Sequence, residues 1–226
     1  MKIDRPFLQL CVVVFVVTAI AVSAAQAAKP PSPFAPIEED ASLPRVLVIG
    51  DSISIGYTLA VRAELKEVAN VLRIPTNGGP TIRGVESIEK WLGDGKWDLI
   101  HFNWGLHDLK YIDGVKQVPL DQYKVNLEKL VVRMKKTGAT LIWCSTTPVP
   151  PGCLPPRKNE DVLAYNAAAA EIMAKHGVAT DDLYTFANGR LTEIQREANV
   201  HFLPEGSKVL GKEVARVIKA ALKKAE

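Results

Sequence analysis

Val46-Leu47-Val48-Ile49-Gly50-Asp51-Ser52-Ile53-Ser54 is the stretch on which the fold turns. Four apolar residues, three of them β-branched, are stopped by a glycine. Such a run is a short strand buried on both faces, the kind found inside a parallel sheet. Outward from it, residues 71–74, 99–103, 140–144 and 178–180 predict four further strands. Between them, residues 57–68, 85–92, 120–137 and 160–176 have helical spacing. A last helix over residues 205–224 sets Val209, Leu210, Val214, Val217, Ile218 and Leu222 on one face. Strand–helix alternation of this kind predicts a parallel sheet covered by helices on both sides.

The N-terminus has another purpose. Lys2 and Arg5 precede an apolar run from Phe7 to Val22, and small residues then lead to Ala25-Gln26-Ala27. This is the pattern of a cleavable signal peptide over residues 1–27, with a run short for a membrane span. The expected location is secreted or periplasmic, with no stable membrane insertion after cleavage. Residues 28–43 contain prolines at 30, 31, 33 and 36 and the acidic run Glu38-Glu39-Asp40. Proline fixes φ and removes donors, so an extended linker is expected, with one domain over residues 44–226.

Composition narrows the function. With 47% hydrophobic and 23% charged residues, the chain can bury a full core. Without residues 1–27 it carries 26 basic and 24 acidic side chains, mixed along its length. Nucleic acid, which calls for a concentrated basic face, is not an expected partner. Cys11 leaves with the signal, and Cys144 and Cys153 remain. Export permits a bridge between them, but a strand-end Cys144 should point into the core, which favours free thiols. No Cys and His spacing matches a zinc site, so neither metal nor other cofactor is expected.

In open α/β sheets the active groups gather where strands end at their carboxyl edge. Asp51 and Ser52 follow the first strand, with Gly56 and a helix beyond; a helix N-terminus there favours developing negative charge. Capping that helix is the plainer role open to Ser52. Asn77-Gly78-Gly79-Pro80-Thr81 follows the second strand, and Asn103-Trp104-Gly105-Leu106-His107-Asp108 the third. Turns of this composition expose backbone N–H groups able to bind an oxyanion, although either segment taken alone reads more simply as a plain turn. Val200-His201-Phe202-Leu203-Pro204-Glu205-Gly206 sets a histidine just before the last helix. His101, inside a strand, and His176, at a helix end, read as structural.

Together these four blocks resemble the SGNH/GDSL hydrolase superfamily over about residues 44–224. The resemblance implies a flavodoxin-like three-layer α/β/α sandwich with a five-stranded parallel sheet. It implies Ser52 as nucleophile and as oxyanion donor through its own N–H, Gly79 as a second donor, and His201 as the base. Two positions depart from the family pattern. Its third block reads Gly-x-Asn-Asp, but here it is Gly105-Leu106-His107-Asp108. A neutral His107 can donate to the oxyanion as the amide does, with a charge state that varies with pH. The family's acid three residues before the histidine is Ala198. Either Glu197, one position off, orients the imidazole, or a backbone carbonyl does so in a Ser–His dyad. The one-residue shift favours the dyad.

The stretch Cys144-Ser145-Thr146-Thr147-Pro148 after the fourth strand has no acid and reads as a cleft wall with Asp51, Asn103, Thr146 and Thr147. Trp104 is either a stacking surface for a sugar or part of the core. The expected activity is hydrolysis of small acyl esters, acetyl foremost, with carbohydrate as an expected carrier. The alternatives are a lipid esterase or thioesterase, and a non-catalytic glycan-binding domain. Retention of both Ser52 and His201 argues against the last.

Overall fold

Each strand of the central sheet ends at one edge, and the chain leaving that edge after the first three strands carries the first three blocks singled out above. The computed structural model describes residues 31–225. Residues 1–27, read above as a signal peptide and including Cys11, and the first residues of the proline-rich stretch lie outside them. In chain order the elements begin with β1 (Arg45–Ile49), α1 (Ser52–Glu64), β2 (Asn70–Arg73), α2 (Thr81–Leu92) and β3 (Leu99–Phe102). A small hairpin of β4 (Tyr111–Ile112) and β5 (Val115–Lys116) precedes α3 (Leu120–Lys135) and β6 (Thr140–Cys144). Then come α4 (Asn159–His176), β7 (Ala179–Asp181), α5 (Leu183–Asn188), α6 (Leu191–Ile194) and α7 (Pro204–Ala225).

The main sheet has the order β2-β1-β3-β6-β7 and is parallel throughout. That is the doubly wound order whose switch point, between β1 and β3, is where ligands bind. Alternation along β1 divides the core in two. Leu47 and Ile49 join Phe102 and Trp143 under α2, α3 and α4, while Val46 and Val48 join Leu99 and Ile142 under α1 and α7. Both faces are covered, which is why β1 had to be apolar at every interior position. This is the three-layer α/β/α sandwich expected from the sequence.

Three details differ from expectation. α1 starts at Ser52 rather than at 57, because Asp51 caps it by accepting from the Ile53 N–H. Gly56 therefore lies inside the helix, where a Cβ would stand 3.1 Å from Ser207 Oγ on α7. Its glycine permits close helix packing rather than a break. The proline-rich segment is also more than a tether. Asn70 bonds Asp40 and Leu43, Arg45 pairs with Glu39, and Phe34 lies over the Arg73 guanidinium. Finally, α5, α6 and the hairpin are too short to show a period.

Cys144 and Cys153 are free and buried. They belong to the cores on opposite faces of the sheet. No helix among the described residues is long and apolar enough to cross a membrane.

Candidate active site

Ser52 opens α1 immediately beyond the carboxyl end of β1, and Asp51 rather than Ser52 caps the helix. The serine hydroxyl is thereby left unused by the helix. Its own N–H, one of the orphan donors of a helix N-terminus, has no acceptor among the described residues. Ser52 Oγ lies 2.9 Å from His201 Nε2, across 149 positions of sequence.

His201 comes from a short hairpin between α6 and α7. Gln195 bridges Phe202, Arg196 N–H donates to His201 C=O, and Leu203 N–H donates to Ile194 C=O. At its tip Ala198 takes φ +46°, a left-handed conformation unusual for a residue with a Cβ. The next side chain, Asn199, turns back on the histidine. Asn199 Oδ1 lies 2.9 Å from the His201 backbone N and 2.8 Å from Nδ1. The backbone N–H can only donate, so the oxygen end of the amide must face it. That same oxygen then requires a proton on Nδ1, which leaves Nε2 as an acceptor toward Ser52.

The group orienting His201 is thus neither Glu197 nor a backbone carbonyl. Glu197 is exposed and lines a separate cavity with Pro148, Pro150, Pro151 and Ala198. The family pattern has a carboxylate three residues ahead of the histidine, where Ala198 stands here. The usable signal was an Asn two residues ahead of a backbone N–H, the spacing of an Asx turn. Burial holds the His201 pKa below the ordinary histidine value, Asp51 opposes this, and Arg196 and Arg157 add to it. The imidazole therefore stays neutral somewhat into acid. A hydroxyl and a neutral imidazole in this arrangement can transfer the Oγ proton to Nε2 as Oγ attacks an ester carbonyl.

The second and third blocks meet through Thr81 and Asp108. Asp108 accepts from the Thr81 N–H and hydroxyl, which supplies the cap that Pro80 cannot give α2. Burial raises the Asp108 carboxyl to about 7, against the pull of those two bonds. Gly79 takes φ +62°, and its N–H donates to Asn77 Oδ1 at 2.9 Å. For that N–H to serve an oxyanion, the Asn77 side chain must release or share it. His107 is partly exposed, with Nε2 4.0 Å from Asp51 Oδ2. Burial lowers its pKa and Asp51 opposes the shift, so at neutral pH it is an uncharged ring able to donate an N–H.

Most of the expected cleft wall is interior. Trp104 is 1% exposed, sits against Phe102 and closes over Gly84, where a Cβ would come within 2.9 Å of the indole. It is core and offers no stacking face to a sugar. Asp51, Thr146 and Thr147 are buried too, around a space of about 10 Å³, too small for a substrate group. Their work is support. Asn103 Nδ2 donates to the Cys144 carbonyl and to Thr146 Oγ1, and Asn166 clamps the Thr146 backbone at both N–H and C=O.

His101, Cys144 and Asp181 have possible ligand atoms within 4.8 Å of one another, all buried. His101 Nε2 is already 2.9 Å from Asp181 Oδ2, and burial pushes the Cys144 thiol well above its ordinary value. A protonated thiol is a poor ligand, so the trio reads as a structural His–Asp pair beside a core cysteine.

Residues 48–209 match the GDSL-like lipase/acylhydrolase family. No curated protein sequence gives a match. Among solved structures, a lipase/acylhydrolase from Enterococcus faecalis superposes with TM-score 0.69 at 21% identity, over 79% of this chain and 97% of that one. The acetyl xylan esterase AlAXEase gives 0.67 at 13% identity, over 77% and 99%. An acetylxylan esterase from Geobacillus stearothermophilus, in a catalytic mutant form, gives 0.66 at 18%, over 76% and 93%. At such identities these three likenesses speak for the fold alone. With the family match spanning β1 to α7, the chain belongs to the GDSL-like lipase/acylhydrolase family of ester hydrolases.

Proposed function

We propose that the protein is an exported serine esterase that removes small acyl groups, acetyl foremost, from carbohydrate. The observation that carries the chemistry is the chain of contacts Asn199 Oδ1, His201 Nδ1, His201 Nε2 and Ser52 Oγ, with links of 2.8 and 2.9 Å. In this scheme Oγ attacks the ester carbonyl while its proton passes to Nε2. The oxyanion is held by the free Ser52 N–H, with Gly79 and a neutral His107 as further donors. His201 then protonates the leaving alkoxide, and water releases the acyl group by the reverse sequence. Asn199 holds the tautomer but, being neutral, stabilises the imidazolium less than a carboxylate would.

The acetyl and carbohydrate assignment is supported by the two neighbours named as acetyl xylan esterases. The export assignment is supported by the charged, apolar and Ala-x-Ala pattern of residues 1–27. The test is turnover of p-nitrophenyl acetate, butyrate and octanoate by wild type and Ser52→Ala, with a fluorophosphonate label on both. Fastest turnover of the acetate, lost with the label in Ser52→Ala, is the expected result. Rates that climb with chain length would make the protein a lipid esterase or thioesterase. Labelling without Ser52 would remove the mechanism.

A further inference from the structure

From the Ser52–His201 pair a groove of about 750 Å³ leads away between α1 and α7. Its floor is apolar, built from Ile53, Leu59, Ala60, Ala63 and Phe202. Arg196, Lys208 and Lys212 line it with Glu64 as the one carboxylate among the lining residues. Lys208 is engaged by Glu205 at 2.7 Å, whereas Arg196 and Lys212 have no carboxylate partner among the described residues. The groove follows the 13-residue α1, roughly 20 Å at the helical rise. Its volume is that of a site for a ligand of drug size.

Which half of an ester lies there follows from which of the proposed groups the groove reaches. The groove is walled by Ser52 and His201 and contains neither Gly79 nor His107. Those two wall a separate cavity of about 550 Å³ that reaches neither Ser52 nor His201. An imidazole that protonates the departing oxygen must stand within hydrogen-bond reach of it, about 3 Å. The departing alcohol therefore lies on the histidine side, and the carbonyl oxygen on the side of the proposed oxyanion donors.

We infer that the α1–α7 groove is the alcohol subsite of the enzyme and is built for an alcohol that carries an anionic group on an otherwise apolar ring face, as an acidic sugar does. This deepens, and rests on, the esterase reading above. The balance of charge around His201 points the same way, since Arg196 and Arg157 both bear on it, with Asp51 opposing them. Among the residues lining the groove, Arg196, Lys208 and Lys212 outnumber the single carboxylate, Glu64. A mouth of one sign raises the local concentration of substrates of the other.

The experiment compares 4-acetoxybenzoate with methyl 4-acetoxybenzoate, acetyl esters of one ring with and without a negative charge on the departing half. For each, kcat/KM is divided by the ester's own hydroxide rate. The quotient of the two values is taken within one enzyme preparation, so loss of folded protein cancels. Wild type is expected to favour the anion by roughly three- to tenfold at low ionic strength, and to lose that preference toward 0.5 M salt as screening shortens to a few ångströms. The double variant Lys208→Glu with Lys212→Glu should reverse the preference. A quotient at or below one in wild type, or one unmoved by charge reversal, overturns the subsite. So does a rise of kcat/KM with acyl length that the double variant abolishes, since the groove would then hold the acyl chain. No turnover of either acetate, by contrast, overturns the esterase reading itself.

Discussion

His101 and His201 are two histidines of one fold with opposite partners. His101 is fully buried on β3 and bonded to a carboxylate, Asp181. His201 stands in a loop, half-buried, bonded to the neutral amide of Asn199 and to a serine hydroxyl. From residue types alone the carboxylate belongs with the histidine proposed as the base, yet the structure gives it to the other one. The difference teaches that a His–Asp pair is no mark of catalysis without access. A pair sealed under α1 and α7 has no substrate to exchange a proton with, whereas an exposed imidazole needs only a fixed tautomer and a reachable serine.

The widest separation between the two should come from deleting the reactive side. Ser52→Ala and His201→Ala are each expected to lower kcat by about 10⁴- to 10⁶-fold with little change in melting temperature, because nucleophile and base act as a unit. Asp181→Ala should do the reverse. It strands a buried imidazole, at a cost of about 3 kcal/mol and a fall in Tm on the order of 10 °C. The rate per fluorophosphonate-labelled serine should hold within a few-fold. A collapse of that rate at unchanged Tm would put His101 in the mechanism and dissolve the contrast.

Asn199→Ala comes next. It removes the acceptor that fixes Nδ1–H, and a neutral hydrogen bond is worth about 1 kcal/mol, so a loss of roughly fivefold in kcat is expected. Asn199→Asp sharpens the point through pH. His201 must be neutral to act, and its pKa lies below the usual value, so the acid limb of kcat/KM in wild type should fall below about pH 6.5. A carboxylate beside Nδ1 favours the charged ring, raises that pKa, and should move the limb up by about one unit. An unmoved limb would mean that residue 199 does not face the titrating ring. Smallest is Glu197→Gln, expected to change kcat by less than about threefold because only a remote, exposed charge is lost. A thousandfold loss there at unchanged stability would hand the orienting role back to Glu197.

Much of the site was legible because its parts are local. The apolar run of β1 stopped by Gly50 announced a buried strand, and a serine at its end announced an exposed hydroxyl. The glycine turns after β2 and β3 could be read in the same way. Asn199 was missed because a carboxylate was sought at a fixed offset. What decides the matter is the backbone of Ala198, whose left-handed φ swings the following side chain onto the ring. Trp104 was ambiguous for a similar reason. An indole two residues past a strand faces core or solvent according to which neighbour leaves room, and Gly84 on α2 leaves it.

The sequence by itself determined the order of strands and helices, the two-sided burial of the sheet and the residue types gathered at its carboxyl edge. Those follow from periodicity and from where an apolar run must stop. Only the tertiary structure decided which histidine meets which partner. His201 finds Ser52 across 149 positions, and His101 finds Asp181 across 80. Such pairings depend on sheet order and on the path of a six-residue hairpin between Arg196 and His201, to ångström precision. No local spacing encodes a distance of that kind, because it is the sum of every packing contact between the two ends.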